Sequence, residues 1–375
     1  MRKKRILITH LAFGNGHKAV SNYIKRYFED HSNKYEIQTI DILDFSNGIF
    51  KTSQQKLFNF ASLQFPFIWT GIYKGFNNRF VGLANILPKY FMYNKRLRDY
   101  IIMYNPDLVI STHYYGSYII EKMILKHEID TKLITVVTDY DRHRIWLNGS
   151  KVEEAVTVGC KDTKKFFVKN KLNRNIVQEF GIPIYPIEDE KFDRNALKEQ
   201  FQHPEYPICL FFSGGGAGNN RSYNYIKKAL KNELKINFIY IAGKNEKALN
   251  KVKNLIKENN YKNIIPYGFV TNVGDYLKIC DFVVSKPGGI QTTEALSYGK
   301  PMMTILSAGG QENYNLHYLK REKYGKYFHT STTFNRYLKK ISDNPSIIKE
   351  YQENIKKGIM NDAMEKLFKF VENTI

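Results

Sequence analysis

Short apolar runs, each backed by a stretch of helical spacing, recur along this chain in two sets. That alternation restricts the fold more than any other feature. The first set runs through "RILITH", a helical stretch around 17–30, "YEIQTIDIL", "PDLVIST", a helix near 117–127, "KLITVVTDY" and "EAVTVG". The second runs through "PICLFFSGGG", a helix over 221–233, "NFIYIAG", a helix over 245–259, "NIIPYGFV", "DFVVSKPGG" and "PMMTILS". Strands that alternate with helices in this way argue for parallel sheets with crossover helices. The expected fold is therefore α/β, with two facing, Rossmann-like, doubly wound domains and a cleft between them. "GIPIYP" (181–186), with two prolines, separates the sets, giving a first domain over 1–182 and a second domain over 183–343. The remainder, 344–375, reads as helical, broken near "NPS" and crossing back to the first domain.

Open parallel sheets bind ligands beyond the carboxyl ends of their strands. Four glycine-bearing turns lie there: "FGNGH" (13–17), "SGGGAGN" (213–219), "KPGGIQTTEA" (286–295) and "SAGGQENYN" (307–315). Glycine lets a backbone approach a ligand, and helix N-termini stabilise phosphate. A nicotinamide dinucleotide fits poorly, because Asn219 stands where its fingerprint needs a third glycine and no acid follows "YIAGKN". A nucleotide-sugar fits better. Gly214, Gly215, Gly288 and Gly289 suit a diphosphate, Glu294 the two ribose hydroxyls, and Gln311 with Glu312 the hydroxyls of a hexose. "TDYDRH" (138–143) offers an Asp-x-Asp, a metal-holding pattern in one class of sugar transferases, but it follows a strand of the first half. His143 and Trp146 read either as cleft residues or as packing. His17 stands in the first turn of a helix, whose positive end disfavours imidazolium. A neutral ring there is able to act as a general base.

Lys and Arg number 57 against 36 Asp and Glu, a formal charge of +21, so the partners should be polyanions. Between Asp44 and Asp99 no acidic residue occurs, and the span is crowded with aromatic and basic side chains, among them Phe65, Phe67, Trp69, Tyr73, Lys74 and Arg79. Such interleaving suits a membrane interface with anionic lipid; helices packing their aromatics inward are the plainer reading. No nucleic-acid module signature is present, and nucleic acid is not expected as a partner. No run approaches the ~18 apolar residues of a spanning helix. The three cysteines, Cys160, Cys209 and Cys280, lack metal or redox spacing and read as buried free thiols.

These residues carry a family likeness over almost the whole chain. "GNGH" (14–17), "NGIF" (47–50), "YNKRLRDYIIMYNPDLVI" (93–110), "VVTDYDRHRIW" (136–146), "GIPI" (181–184), "AGKNEKAL" (242–249), "SKPGGIQTTEA" (285–295) and "GQENYN" (310–315) resemble the diacylglycerol glycosyltransferases of Gram-positive bacteria and plastids. That family comprises processive diacylglycerol β-glucosyltransferase and monogalactosyldiacylglycerol synthase, relatives of the peptidoglycan N-acetylglucosaminyltransferase that makes lipid II. The resemblance implies a GT-B fold with lipid acceptor on the first domain and UDP-sugar, UDP-glucose or UDP-galactose, on the second. It implies inverting transfer to diacylglycerol without metal or other cofactor, at the cytoplasmic face of the cell membrane. His17 would then be the base, between Gly14 and Gly16, which open space for the reactants, and the donor loops. The main chain at Phe269 and Val270 would hold uracil, the amides around Gly214, Gly215, Gly288 and Gly289 the diphosphate, and Glu294 the ribose, with Lys286 among the donor-binding residues. The docking surface would include Phe65, Phe67, Trp69, Tyr73, Lys74, Arg79 and His143. Two departures bear on the donor sugar: "SGGGAGNN" is richer in glycine than the bacterial glucosyl enzyme's loop, and "AGGQENYN" lacks a proline before its Gln-Glu pair. The rivals are the same fold with another lipid acceptor, a UDP-sugar epimerase, and a non-catalytic UDP-sugar sensor.

Overall fold

The computed structural model describes residues 2–12, 16–46, 70, 71, 73–75, 77, 94–140, 142–147, 152–185, 194–214, 220–306 and 309–375. The chain divides into two compact units. One comprises Met1–Pro186, Ala308–Tyr314 and Met360–Ile375; the other comprises Ile187–Ser307 and Asn315–Ile359.

The first unit is built on β1 (Lys4–His10), α1 (Gly16–His31), β2 (Tyr35–Asp41), α2 (Lys95–Tyr104), β3 (Leu108–Ser111), α3 (Tyr114–Leu125), β4 (Lys132–Val136), β5 (Ala155–Thr157), α4 (Lys161–Lys169) and β6 (Val177–Gln178). Its six strands are parallel, in the order β2-β1-β3-β4-β5-β6. From Ile6 through His10, β1 is buried without interruption, as a strand covered by helices on both faces must be. Asn94 caps α2 by accepting from the Leu97 amide, and Asn105 ends it in the left-handed region at φ 48°. The chain runs outward from β1 to β2 and returns to β3 on the other side of β1. The direction of winding therefore reverses between β1 and β3, where open sheets take their ligands.

The second unit holds α5 (Arg194–Lys198), β7 (Ile208–Phe212), α6 (Asn220–Lys231), β8 (Asn237–Ile241), α7 (Glu246–Asn259), β9 (Ile264–Tyr267), α8 (Val273–Ile279), β10 (Phe282–Ser285), α9 (Gly289–Ser297), β11 (Met302–Ile305), α10 (Gln311–Arg321), β12 (Gly325–Phe328), α11 (Ser331–Asp343) and α12 (Ser346–Gly358). The first turn of α10 groups with the first unit. All strands are parallel, in the order β12-β11-β10-β7-β8-β9, so the reversal falls between β7 and β10. Phe211, Phe238, Tyr240, Phe282 and Phe334 fill the core on one face. A last helix, α13 (Ala363–Thr374), belongs to the first unit and sets Phe368 edge-on to Phe28 of α1 at 5.0 Å.

The two doubly wound parallel sheets are as the alternation requires. The sequence reading missed β6, β12 and α4. All three cysteines are buried and free. Among the described residues no helix is long and apolar enough to cross a membrane.

Candidate active site

In the first unit, β1, β3 and β4 end side by side, and three side chains meet there. His17, the second residue of α1, is half-buried, with Nδ1 2.7 Å from the Thr112 carbonyl oxygen and 2.9 Å from Thr138 Oγ1. A carbonyl oxygen can only accept, so Nδ1 carries the hydrogen and Nε2 the lone pair. Among the described residues no hydrogen bond is made to Nε2. The helix turn is held as well: Ser21 Oγ donates to the His17 carbonyl at 3.0 Å, and Thr112 Oγ1 lies 3.2 Å from the same oxygen.

Burial pulls the His17 pKa down from 6.5 to about 4; the hydrogen bond to Thr112 opposes this, and His10 adds a smaller push downward. The ring is neutral near pH 7, and burial lowers its pKa at the same helix terminus that the sequence pointed to. His113 packs edge-on to it at 4.7 Å, and burial holds that ring well below its usual value too. His113 Nδ1 accepts the Tyr115 amide at 3.2 Å. His10 Nδ1 is buried and has no hydrogen-bond partner among the described residues.

In the second unit the glycine turns follow β7 and β10, the two strands that flank the reversal. Gly214 sits at φ +116°, open to glycine and strained for other residues. Gly288 differs: its φ is an ordinary −69°, and a Cβ there would meet nothing within 4 Å. Among the described residues nothing requires glycine at that position, whereas a ligand lying on the backbone would. Gly288 caps α9, whose first amides point out of the helix end. The turn is fixed by Asn315, which donates to the Pro287 carbonyl at 2.9 Å, and by Ser285 Oγ, which donates to Gln291 Oε1 at 2.6 Å. Lys286, half-buried, and Gly289, buried, lie in the same turn, and Glu294 is half-buried on the second turn of α9. Phe269, after β9, is 61% exposed, with Lys244 Nζ 5.3 Å from its ring; Val270 packs onto the core.

Gln311 and Glu312 open α10. Their turn groups with the first unit, where the Gly310 amide donates to Thr70 Oγ1 at 3.2 Å and Asn77 Nδ2 lies 3.4 Å from the Tyr314 hydroxyl. Gln311 Oε1 is buried and makes no hydrogen bond among the described residues, and Glu312 is buried.

Two expected cleft residues are interior. His143 is fully buried, accepts the Ile145 amide on Nδ1 (3.1 Å) and donates from Nε2 to the Tyr73 carbonyl (2.7 Å). With both nitrogens engaged it anchors the backbone at Tyr73 and offers nothing to a lipid, which corrects its place on the docking surface. Trp146 is buried against Tyr114. Tyr73 is half-buried and Lys74 exposed, while Gly16 opens α1. Gly14, Gly215, Phe65, Phe67, Trp69 and Arg79, with Asp141 of the Asp-x-Asp, lie outside the described residues. Thr112 and Thr138 were missed as site residues. Both stand at the carboxyl ends of apolar runs, and that position was their signal.

Residues 17–184 match the family model of monogalactosyldiacylglycerol (MGDG) synthase, and residues 209–367 that of the glycosyltransferase family 28 C-terminal domain. The chain is 24% identical to a processive diacylglycerol beta-glucosyltransferase of Staphylococcus epidermidis over 98% of its own length and 92% of the relative's. It is 27% identical to the enzyme of that name from Staphylococcus carnosus, over 87% and 81%. Among solved structures, MurG of Acinetobacter baumannii superposes with a TM-score of 0.66 at 11% identity, covering 99% of both chains. A UDP-N-acetylglucosamine 2-epimerase from Listeria monocytogenes gives 0.61 at 10% identity, covering 99% of this chain and 96% of that one. The fold is thus shared by transferases and epimerases and separates neither. The first part of the chain thus matches the monogalactosyldiacylglycerol synthase family and the second the glycosyltransferase family 28 C-terminal domain, and the relatives aligned along nearly all of its length are processive diacylglycerol beta-glucosyltransferases.

Proposed function

We propose that this protein is a membrane-surface, inverting UDP-sugar hexosyltransferase that moves glucose from UDP-glucose to the free hydroxyl of diacylglycerol. The observation that carries the reading is His17: a neutral histidine, its Nδ1–H engaged by Thr112 and its Nε2 lone pair available, at the winding reversal of the first sheet. In this reading Nε2 takes the glycerol hydroxyl proton as that oxygen bonds to the anomeric carbon. The bond from that carbon to the diphosphate breaks, and its electron pair leaves with UDP. Amides at the start of α9 and around Gly214 take up the developing charge. Glu294 holds the ribose, the main chain at Phe269 and Val270 the uracil, and Gln311 with Glu312 the hexose. The proton passes from His17 to solvent after product departs.

Glucose as the donor sugar rests on the names of the sequence relatives, and the family model's name keeps galactose as its competitor. Purified protein offered UDP-glucose and UDP-galactose side by side with diacylglycerol vesicles should yield glucolipid. Absence of any glycolipid, with interconversion of the free UDP-sugars, would establish the epimerase instead. His17→Ala should lower transfer by about 10²-fold or more while UDP binding stays within twofold; loss of both would make the histidine structural.

A further inference from the structure

We propose that Thr138 is the positioning residue of His17, so that the base is backed by two uncharged oxygens where many catalytic histidines have a carboxylate. This rests on the reading of His17 as the base. Thr138 is 3% exposed, just past β4, and its Oγ1 lies 2.9 Å from His17 Nδ1 while the Thr112 carbonyl lies 2.7 Å from the same atom. The carbonyl fixes the hydrogen on Nδ1, so the threonine oxygen also faces a donor, in a three-centre arrangement. When Nε2 takes a proton the ring becomes imidazolium, and its Nδ1–H becomes a charge-assisted donor to both oxygens.

Among the described residues the titratable groups acting on the ring are uncharged or indirect. His10 at the end of β1 and His113 at the end of β3 are themselves neutral, while Asp41, Asp44 and Lys18 act on His10. A carboxylate on Nδ1 would orient the ring and also raise its pKa. Two neutral oxygens orient it and leave it free of a proton at the pH of the cell interior. Thr138 therefore matters to the transfer step and hardly at all to donor binding.

The test uses the full chain with UDP-glucose and diacylglycerol vesicles. Thr138→Val, nearly isosteric, should lower kcat about tenfold with KM for UDP-glucose within twofold. It should also move the acid limb of kcat/KM to lower pH, because imidazolium has lost an acceptor. Thr138→Ser should restore most of kcat. Thr138→Asp, whatever its kcat, should move the acid limb upward. A Thr138→Val enzyme with wild-type kcat and pH profile, or a Thr138→Ser enzyme no better than Thr138→Val at equal UDP affinity, overturns the proposal. If His17→Ala retains transfer, the base assignment falls first; if His17→Ala is inactive and Thr138→Val is normal, only the role of Thr138 falls.

Discussion

At the scale of single residues, buried histidines give this protein a characteristic response to acid. His10, His17, His113 and His143 all have ring pKa values lowered primarily by burial, His17 and His143 to about 4. Each binds its proton more weakly in the folded chain than in the unfolded one. The stability they permit is therefore complete above about pH 6.5 and is lost as pH falls from there toward 4. For fully buried His143 the loss at pH 5 is about 2 kcal/mol. Thermal melts should show a Tm several degrees lower at pH 5 than at pH 7, roughly 2–4 °C per kcal/mol in domains of this size. His143→Gln should lower the Tm at pH 7, since it disturbs the bonds to Tyr73 and Ile145, and yet reduce the difference between the two pH values. An undiminished difference would show that His143 is not one of the residues that charges.

At the scale of elements, the edge strand β12 carries the most local constraint. A Cβ on Gly325 would lie 2.0 Å from the Met302 carbonyl oxygen of β11, and a backbone atom in a paired strand has no room to yield. Gly325→Ala should cost about 3 kcal/mol, measured by urea unfolding, and should do so whether or not UDP is bound. A cost below about 0.5 kcal/mol would mean that the edge gives way. This element also marks where the sequence stopped being legible. β1 and β7 stand out because strands buried on both faces are continuous apolar runs. "GKYF" is four residues long with an exposed lysine, and only its neighbour β11 makes it a strand. The site divides in the same way. His17 was legible because a glycine turn and a helix start are local signals. Its partners were not, since Thr112 and Thr138 lie 95 and 121 residues away and reach it only through the order of parallel strands. His143 was misread because its motif was visible and its burial was not.

At the scale of the whole molecule, net charge and acceptor chemistry point to one surface. The formal +21 has to be accommodated somewhere, and the acid-free span from 45 to 98 is its most one-sided part. The end of that span is informative, and α2 continues past it: Lys95 and Arg96 are exposed on the first turn of α2, and Ile102 and Met103 are exposed on its last, Met103 at 76%. A helix presenting cations at one end and bare apolar side chains at the other suits the boundary between headgroups and acyl chains. Each cation near an anionic leaflet adds about 1 kcal/mol, so reversing two should weaken vesicle binding at least tenfold. The full-length protein should float with vesicles rich in phosphatidylglycerol, and much less with neutral phosphatidylcholine. Raising salt from about 0.1 M, where the screening length is ~10 Å, toward 1 M, where it is ~3 Å, should release most of it. Lys95→Glu with Arg96→Glu should reduce flotation and glucolipid synthesis in vesicles together, and should leave UDP binding and melting temperature unchanged. Because diacylglycerol stays in the bilayer, a transferase that loses the surface loses its acceptor. Synthesis that persisted while flotation fell would mean that the acceptor reaches His17 by a route other than this face.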